Sequence, residues 1–332
     1  MSAGSDAIHA RERPGEAVTS PEVSVVLPTY NRPQYLRSAI DSVFAQTFTD
    51  WELIVADDGS EGETAAFVAA LASRPKVKVL RLAHVGNPGA VRNAACRAAR
   101  GEYIAFLDSD DVWLPEKLAL QVASLRSRPQ RGWGHTAFTV IDESGELLSG
   151  ARARWWPAVD GWILESLIKM EPVIAMSSLI VRRGLLEQVG GFDNKQRMCE
   201  DYDLFLRFAG LTEMDGIRET LLHKRRHAEN YSDDTIALED RGRALEKMLV
   251  VSTDRTLRSL LSKERAKVAA ELARSQAIGG GRWAALRTVV RSSQYSWGYR
   301  AWWLGSAKAA ARAVTPSGVL RVARAVVGRS RG

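Results

Sequence analysis

The stretch YIAFLDSDDVW, from Tyr103 to Trp113, sets three carboxylates directly behind an apolar run. A short apolar run bounded by polar residues is typical of a buried strand. Asp108, Asp110 and Asp111 stand within four positions, and carboxylates this close repel one another unless a cation or cationic side chain neutralises them. The stretch therefore predicts a buried strand whose carboxyl end carries concentrated negative charge.

Strand and helix patterns alternate on the amino-terminal side of this stretch. Strands are predicted at VSVVLP, WELIVAD and VKVLRL. Helices are predicted at QYLRSAIDSVFAQ, TAAFVAALAS and GAVRNAACRAARG, the last with Gly101 as its carboxy-terminal cap. Because strands that alternate with helices of this length form βαβ units, the pattern predicts an α/β protein with a largely parallel sheet.

The pattern changes after residue 130. A hairpin is predicted at GHTAFTVIDESGELLSG with its turn at residues 143–145, a strand at SSLIVRR, and a short helix at EDYDLFLRFAG that ends at Gly210. From Thr235 onward the chain is helix-like, with breaks at IGGGRW and VTPSG. We expect a disordered segment, two halves of one α/β domain and a helical basic region, at residues 1–21, 22–130, 131–234 and 235–332.

Charge is distributed unevenly along the 332 residues. The net charge is +7, yet the segment from Val251 to the end holds 16 Lys and Arg against 3 Asp and Glu, so the remainder is net acidic. No acidic residue follows Glu271. A basic tail of this kind favours contact with an anionic surface. We expect a membrane rather than nucleic acid, because no nucleic-acid-binding motif accompanies the charge.

The cysteine content and the distribution of apolar residues also indicate the cellular compartment. The two cysteines, Cys96 and Cys199, do not indicate a disulfide framework, and a reducing compartment is the simpler interpretation. The first residues show no apolar core of a signal peptide, and no apolar run approaches the roughly 20 residues of a membrane-spanning helix. We therefore expect a cytoplasmic protein.

Polar, turn-prone residues follow three strands of the predicted sheet, at PTYNR, DDGS and LDSDD. Ligands of open α/β sheets bind beyond the carboxyl ends of the strands, so these segments predict one shared site. Tyr30 would lie against a base and Arg32 near a phosphate, where a guanidinium suits paired oxygens. Each segment alone can also be an ordinary turn, or a helix cap formed by Asn31.

Asp108 and Asp110 form a D-x-D pair. Two carboxylates one residue apart can bind one hard cation, and Mg²⁺ and Mn²⁺ prefer oxygen ligands and often retain phosphate oxygens. The alternative is a solvated loop, with Asp111 merely preceding the helix predicted at LPEKLALQ. The other two strand ends favour the metal-binding interpretation.

The order of these motifs resembles glycosyltransferase family 2, in its bacterial type. The resemblance covers residues 22–232 and rests on VSVVLPTYNRPQYLRSAIDSVFAQTFTDWELIVADDGS, PGAVRNAACRAARGEYIAFLD, GEYIAFLDSDDVWLPEKL and VGGFDNKQRMCEDYDLFLR. Each motif is weak alone, whereas their combination and order are specific. The resemblance implies an inverting enzyme of GT-A fold, with a Rossmann-like nucleotide-sugar-binding half on a mixed, mostly parallel sheet, followed by an acceptor-binding half.

The resemblance further implies a nucleotide-sugar donor, usually a UDP-sugar, with Mn²⁺ or Mg²⁺ on its diphosphate. The contact to the base would come from Asp57 or Asp58, and Asn93 would lie near the ribose and phosphates. Asp110 would be the direct metal ligand. The full set of implied donor-binding residues is Pro28, Thr29, Tyr30, Arg32, Asp57, Asp58, Arg92, Asn93, Asp108, Ser109 and Asp110.

The CEDYDLFLR segment carries the implied chemistry. In the family the Asp of the ED pair is the general base, which gives Asp201 that role with Glu200 beside it. Displacement at an anomeric carbon needs a base that takes the proton of the acceptor hydroxyl, on the face opposite the leaving diphosphate. Both carboxylates also suit the start of a helix through its dipole, and the two roles are compatible.

The segment RRHAENYS follows. In related enzymes a stretch of this kind closes over the diphosphate, so His227 would be a third metal ligand or a phosphate donor, and Arg226 would pair with phosphate. A lone histidine is also commonly structural. His223, His84 and Cys96 are predicted to be structural.

The acceptor side is less defined. The Q-x-x-R-W signature of processive polysaccharide synthases is absent, which favours a single addition. Trp155, Trp156 and Trp162 lie in the region GARARWWPAVDGWILESLIKMEP, where aromatic faces would either stack on sugar rings, line a lipid-facing groove or pack a small subdomain.

Aromatic residues are set among arginines in the carboxy-terminal tail: Trp283, Trp297, Trp302, Trp303, Tyr295 and Tyr299. This pattern favours peripheral docking on the cytoplasmic face of the inner membrane, with a lipid-linked sugar or glycolipid as acceptor. The alternative is a tail that packs on the catalytic domain or forms a homodimer.

Other functions fit less well. A nucleotidyltransferase would carry a Gly-rich basic loop after the first strand, where this chain has PTYNRPQ. A dehydrogenase is disfavoured because no G-x-G-x-x-G follows an early strand. A non-catalytic binding protein of the same fold remains an alternative, although the intact D-x-D and ED pairs argue against it.

Overall fold

The computed structural model describes residues 20–149, 154–227 and 233–295. The predicted disordered segment therefore lies outside the described residues except for residues 20–21. The same holds for the tail aromatics Trp297, Tyr299, Trp302 and Trp303 and for the break at VTPSG.

Nine strands in the described residues form one sheet in the order β3-β2-β1-β4-β8-β6-β9-β5, with β7 beside β6. The strands are β1 Val23–Thr29, β2 Trp51–Asp57, β3 Val77–Arg81, β4 Tyr103–Phe106, β5 Val112–Trp113, β6 Trp133–Ile141, β7 Trp155–Trp156, β8 Ile180–Arg182 and β9 Met214–Arg225.

Helices cover both faces of the sheet and make up the carboxy-terminal part of the described chain. They are α1 Pro33–Phe44, α2 Gly62–Leu71, α3 Pro88–Ala98, α4 Lys117–Ser127, α5 Leu164–Ile168, α6 Arg183–Gln188, α7 Glu200–Ala209, α8 Asp234–Val251, α9 Arg255–Ile278 and α10 Arg282–Ser292.

The amino-terminal half has the predicted βαβ architecture. Strands β3, β2, β1 and β4 are parallel neighbours, and β1, β2 and β4 are buried nearly throughout because apolar residues occupy both faces. Gly101 is not the cap of α3, which ends earlier. A Cβ on Gly101 would lie 2.5 Å from the backbone nitrogen of Ser24, so close chain approach is what requires glycine there.

The second half turns the sheet into a mixed one. β8 is antiparallel to both β4 and β6, whereas β6 and β9 are parallel. The predicted hairpin turn is present, since Gly145 donates its N–H to the carbonyl of Asp142 at 3.1 Å. The returning chain makes a single bridge, Ile141 to Leu147, rather than a strand.

The helices α8 and α9 belong to the same hydrophobic core as the α/β domain. Leu245 and Met248 of α8 and Leu261 and Val268 of α9 are buried in one cluster with Phe205 of α7. The described part of the carboxy-terminal region therefore packs on the α/β domain. In the portion of the chain that the structure describes, no helix is both long and apolar enough to cross a membrane.

Candidate active site

The three predicted strand ends meet at one edge of the sheet. Thr29 at the end of β1 is in register with Asp57 at the end of β2, and Asp58 donates its N–H to the Thr29 carbonyl at 2.9 Å. Asn31 does not cap α1, contrary to one interpretation of the sequence; its side chain accepts the N–H of Glu61 at 2.9 Å. The loops after β1 and β2 are therefore joined.

A cleft of about 400 Å³ opens beyond these strand ends. Nine of the predicted donor-binding residues line it: Pro28, Thr29, Tyr30, Arg32, Asp58, Arg92, Asp108, Ser109 and Asp110. The other lining residues are His84, Gly86, Asn87, Pro88, Val91 and Lys224.

One end of the cleft is an aromatic platform. Tyr30 stacks on His84 with ring centroids 4.1 Å apart and planes 17° apart. The carboxylate of Asp58 accepts the N–H groups of Val85 and Gly86, each at 2.9 Å, and it lies 3.0 Å from Nδ1 of His84. Asp58 thus holds the loop that carries His84 against Tyr30.

Two predicted donor-binding residues lie outside the lining. Asp57 is fully buried and accepts the N–H of Ser60 at 3.0 Å, so it shapes the turn beneath the cleft. The side chain of Asn93 donates to the carbonyl of Phe192 at 2.8 Å and accepts its N–H at 2.9 Å. In this structure Asn93 therefore fixes the loop that leads toward α7.

The acidic cluster is compact enough to hold a metal ion. Ligand oxygens of Asp108, Asp110 and Asp111 all lie within 4.8 Å of one another. Oδ2 of Asp111 is buried without a hydrogen-bond partner, although Nζ of Lys224 lies 3.9 Å away. Three carboxylates with one unsatisfied oxygen match the ligand preference of Mg²⁺ and Mn²⁺. Asp111, which the sequence did not mark as a ligand, belongs to this cluster.

Burial and neighbouring charges set the pKa values in the cluster. Burial raises the pKa of Asp111 to about 7, and the nearby Asp110 and Asp108 add to the rise. Burial would also raise the pKa of Asp108, but the positive charge of Arg92, with Lys224 and Arg32, lowers it below the ordinary value. The cluster therefore holds carboxylates of different acidity.

Each carboxylate of the cluster has a basic partner. Arg92 donates from Nη2 to Oδ1 of Asp108 at 2.7 Å, and Nη1 of Arg32 donates to Oδ2 of Asp110. Lys224 completes the set opposite Asp111. These three cations neutralise charge that would otherwise destabilise the fold.

Arg92 also connects the cluster to the predicted catalytic pair. Its Nη1 donates to Oε1 of Glu200 at 2.7 Å, and both side chains are buried. Burial alone would lower the pKa of Arg92, yet Asp108 and Glu200 together raise it. One permanently charged guanidinium thus ties α3, the loop after β4 and the start of α7 together.

Asp201 begins α7 beside Glu200. Burial raises the pKa of Asp201 to about 7, and the charge of Glu200 adds to the rise. Asp201 does not line the cleft, but its charge is close enough to raise the pKa of Lys224. A carboxyl with a pKa near neutrality is suited to take up a proton in catalysis.

Arg225, the last residue of β9, and His227, two residues later, contact the acidic loop that contains Asp110 and Asp111. Nε2 of His227 lies 2.9 Å from Oδ2 of Asp110, and its side chain is 1% exposed. Arg225 donates its backbone N–H to Oδ1 of Asp111 at 2.8 Å and its Nε to the carbonyl of Asp110 at 2.9 Å. Arg226, predicted to pair with phosphate, lies instead at a separate hollow beside the hairpin turn.

Helix α8 holds the chain that leads into α7. Oδ2 of Asp240 accepts the N–H groups of Arg197 and of Met198, the latter at 2.8 Å. Lys247 forms ion pairs with Asp193 and with Asp203 of α7. The helical region therefore fixes the segment that carries the predicted catalytic pair.

Three features of the site were not predicted from the sequence. Lys224 was not singled out, His84 was predicted to be structural, and Asp111 was placed in the acidic cluster but not among the metal ligands. Lys224 carried one usable signal: it begins the basic run Lys224–Arg226, which lies at the end of β9. That His84 belongs to the site is evident only from the folded chain, in which the loop after β3 places it against Tyr30.

The tryptophans predicted for the acceptor side differ in exposure. Trp162 is 66% exposed and Trp155 is 58% exposed. Trp156 is half-buried and stacks on Phe138 of β6 with ring centroids 6.3 Å apart. Packing therefore accounts for Trp156, whereas the other two leave much of their aromatic surface exposed.

Comparison with known sequences identifies the family. Residues 24–157 match the family model described as Glycosyl transferase family 2. An uncharacterized glycosyltransferase of Nostoc sp. is 32% identical over 215 residues, which are 63% of this chain and 66% of the relative. The Escherichia coli protein WfgD, a UDP-Glc:alpha-D-GlcNAc-diphosphoundecaprenol beta-1,3-glucosyltransferase, is 38% identical over 103 residues, 31% of this chain and 40% of WfgD.

The matches cover only part of each relative. This chain spans 66% of an uncharacterized Rickettsia prowazekii glycosyltransferase that is 28% identical to it, and 35% of another from Rickettsia felis that is 27% identical. The match to these relatives covers 64% of this chain in each case.

Comparison with solved structures identifies the fold. Staphylococcus aureus TarS residues 1–349 in complex with UDP-GlcNAc superposes with a TM-score of 0.58 at 19% identity, covering 77% of this chain and 72% of TarS. The mannosyltransferase PcManGT from Pyrobaculum calidifontis, in complex with GDP-Man and Mn²⁺, gives 0.55 at 18% identity and covers 90% and 87%.

The sheet, its helices and the acidic cleft define a glycosyltransferase domain of GT-A fold, as the sequence predicted. Residues 24–157 are a glycosyl transferase family 2 domain.

Proposed function

We propose that the protein is a metal-dependent, inverting glycosyltransferase that moves a sugar from a UDP-sugar to a hydroxyl acceptor in a single displacement. The donor binds in the cleft at the ends of β1, β2 and β4. Asp201 acts as the general base.

The bridge formed by Arg92 carries this proposal. The D-x-D pair and the ED pair are far apart in the sequence, yet one guanidinium contacts both Asp108 and Glu200 at 2.7 Å. Such proximity supports a single reaction centre, in which the donor diphosphate lies at one acidic group and the acceptor proton leaves to the other.

The residues of the chain have distinct roles in this mechanism. Asp201, ionised above its raised pKa, removes the proton of the acceptor hydroxyl as the oxygen attacks the anomeric carbon. Asp108, Asp110 and Asp111 would hold the divalent cation, which when bound stabilises negative charge on the leaving diphosphate. Arg32 and Ser109 line the cleft and would orient that diphosphate.

The aromatic platform supports the choice of a nucleotide donor. A planar base stacks favourably on a Tyr or His ring, and Tyr30 is 43% exposed above His84. WfgD is named for UDP-Glc and TarS was solved with UDP-GlcNAc, whereas PcManGT was solved with GDP-Man. UDP is therefore our first candidate, with GDP as the comparison.

The acceptor proposal rests on the exposed aromatics and the basic helix. WfgD is named for a diphosphoundecaprenol-linked acceptor. Helix α10 of this chain exposes Trp283, at 81%, and Val290 among Arg282, Arg287 and Arg291. This combination supports peripheral binding to an anionic membrane. We propose a lipid-linked or glycolipid acceptor at the cytoplasmic face of the inner membrane.

Calorimetric titration tests the donor site. UDP and GDP are each added to the protein with and without Mn²⁺, and to the Asp110→Ala and Asp41→Ala variants. The proposal expects UDP binding that requires Mn²⁺, is lost in Asp110→Ala and persists in Asp41→Ala, whose carboxylate is exposed on α1. Binding of neither nucleotide under any condition would refute the proposed donor site.

A further inference from the structure

Lys224 belongs to the lining of the acidic cleft, and no hydrogen bond of its side chain is found among the described contacts. It is the penultimate residue of β9, it lines the cleft, and its side chain is 40% exposed. Its Nζ lies 3.9 Å from Oδ2 of Asp111. That separation suits an ion pair but exceeds a hydrogen bond, so charge rather than directional bonding holds the ammonium group there.

Several carboxylates act on this one ammonium group. Asp111 is the largest influence that raises the pKa of Lys224, followed by Asp108, Asp110 and Asp201. Lys224 is therefore positively charged, and carboxylates of both the acidic cluster and the proposed base act on its charge. Arg92, by contrast, is fixed by hydrogen bonds to Asp108 and Glu200.

A divalent cation and Lys224 would compete for the same oxygen. Oδ2 of Asp111 is the buried cluster oxygen that has no hydrogen-bond partner, and it is also the oxygen that forms the ion pair with the ammonium group. A cation bound there would repel Lys224. A long, flexible side chain that is partly exposed can turn toward another anion in the cleft, and lysine binds phosphate as a point charge.

We propose that Lys224 is an exchangeable counter-ion, which neutralises Asp111 in the substrate-free protein and binds the donor diphosphate when the nucleotide and its cation enter the cleft. This inference rests on the proposed function and adds a diphosphate-binding residue to it. The exchange moves no covalent bond: the ammonium group leaves one anion and contacts another.

The proposal predicts that one substitution changes the affinities for Mn²⁺ and for UDP in opposite directions. In Lys224→Met the length of the side chain is kept and its charge is removed. Without the competing ammonium group, Mn²⁺ alone should bind about fivefold more tightly. Without the phosphate contact, UDP in the presence of saturating Mn²⁺ should bind about tenfold more weakly. A residue with a merely structural role would not separate these two affinities in this way.

Two further variants control for charge and for non-specific effects. Lys224→Arg keeps a cation in the cleft, so both affinities should stay close to those of the unchanged protein. Lys78→Met removes an exposed lysine on β3 and should alter neither affinity. Circular dichroism and thermal unfolding verify that each variant is folded.

The titrations use full-length protein with Mn²⁺ alone, and then with UDP or GDP at saturating Mn²⁺. Opposite changes in Lys224→Met, absent from both controls, would support the exchange. Changes in the same direction, or no change, in a variant whose unchanged parent binds both probes would overturn the inference and leave the proposed function standing. Failure of the unchanged protein to bind any probe would overturn both.

Discussion

Nη1 of Arg92 on α3 lies 2.7 Å from Oε1 of Glu200 on α7, and both side chains are buried. The other terminal nitrogen of Arg92 contacts Asp108, also at 2.7 Å. One side chain therefore links the ED pair directly to the acidic cluster. This arrangement makes stability and donor binding sensitive to the same substitution.

Replacing Arg92 should reduce both the unfolding free energy and the affinity for UDP. Arg92→Met leaves Asp108 and Glu200 without their cation, and breaking a buried ion pair in this way costs about 3–5 kcal/mol of unfolding free energy. UDP affinity in Mn²⁺ should fall as well, because the acidic cluster loses its neutralising partner. Arg92→Lys should recover only part of either loss, since a single ammonium group cannot bridge both carboxylates in the same geometry.

Urea denaturation and calorimetry check this prediction. Arg97→Met is the matched control, because Arg97 is an exposed arginine in the last turn of the same helix. An Arg92→Met variant as stable as the Arg97→Met variant would show that the bridge contributes little to the fold.

The raised pKa of Asp201 predicts the pH dependence of transfer. The carboxyl is protonated below about 7 and ionised above it, and a general base acts only when ionised. The rate constant kcat/KM should therefore rise about tenfold per pH unit below pH 7 and level off above it. A profile that is flat between pH 5.5 and 8.5 would argue against Asp201 as the base.

Asp201→Asn separates catalysis from folding. Transfer should fall by at least about 10²-fold, while UDP still binds in Mn²⁺. Because a raised pKa means that ionisation of Asp201 opposes folding as pH rises from 4 to 7, the variant should be at least as stable as the unchanged protein at pH 8. Thermal unfolding at pH 5 and pH 8 measures this difference.

The sequence was sufficient for the fold because its patterns were local. Apolar runs such as those at β1, β2 and β4 predict buried strands, and helix α1 has its buried apolar residues at helical spacing. The short strand β5, of two residues, offers no run to recognise, and β8 begins later than predicted because a 3₁₀ turn at Met176–Ser178 precedes it. Such boundaries depend on tertiary contacts.

Sequence motifs predicted several residues that line the cleft. Contacts between segments that are distant in the sequence were not predicted. Tyr30, Asp58 and Asp110 were expected in the cleft from the strand ends, and they line it. Nothing in the local pattern shows that His84 would stack on Tyr30, or that Asn93 would bond the loop at Phe192. Those contacts join segments that only the folded chain brings together.

Divalent cations should stabilise the protein through the acidic cluster. A ligand at 100 times its dissociation constant adds about 2.7 kcal/mol to the unfolding free energy. Mn²⁺ should accordingly raise the melting temperature, and EDTA should reverse the rise. The effect should be lost in Asp110→Asn and in Asp111→Asn, and kept in Asp41→Asn. A similar rise in all three variants would place the cation elsewhere.

Membrane binding should depend on the outer face of α10. Replacing Trp283 with Ser and Arg287 with Gln removes an exposed aromatic ring and one positive charge from that face. Co-sedimentation with vesicles containing anionic lipid should fall by about tenfold, since each basic residue near such a surface contributes about 1 kcal/mol. The matched variant Arg74→Gln lies after α2 and should sediment normally. Equal sedimentation of all proteins would refute α10 as a membrane-binding surface.

Asp240 should act on catalysis from outside the cleft. Its carboxylate accepts the N–H groups of Arg197 and Met198, directly before the ED pair. Asp240→Ala leaves both donors without this partner, which should cost about 1–3 kcal/mol of unfolding free energy. Because the segment then loses its fixed position, kcat should fall about tenfold or more, while KM for the donor changes little.

The neighbouring carboxylate provides the control for Asp240. Glu239 contacts only the side chain of Arg197 among the described hydrogen bonds, at 2.6 Å, and is exposed enough that Glu239→Ala should cost about 0–1 kcal/mol. Asp240→Asn keeps an accepting oxygen and should recover much of the lost kcat. If Asp240→Ala instead raised KM for the donor and left kcat intact, α8 would support donor binding rather than the position of Asp201.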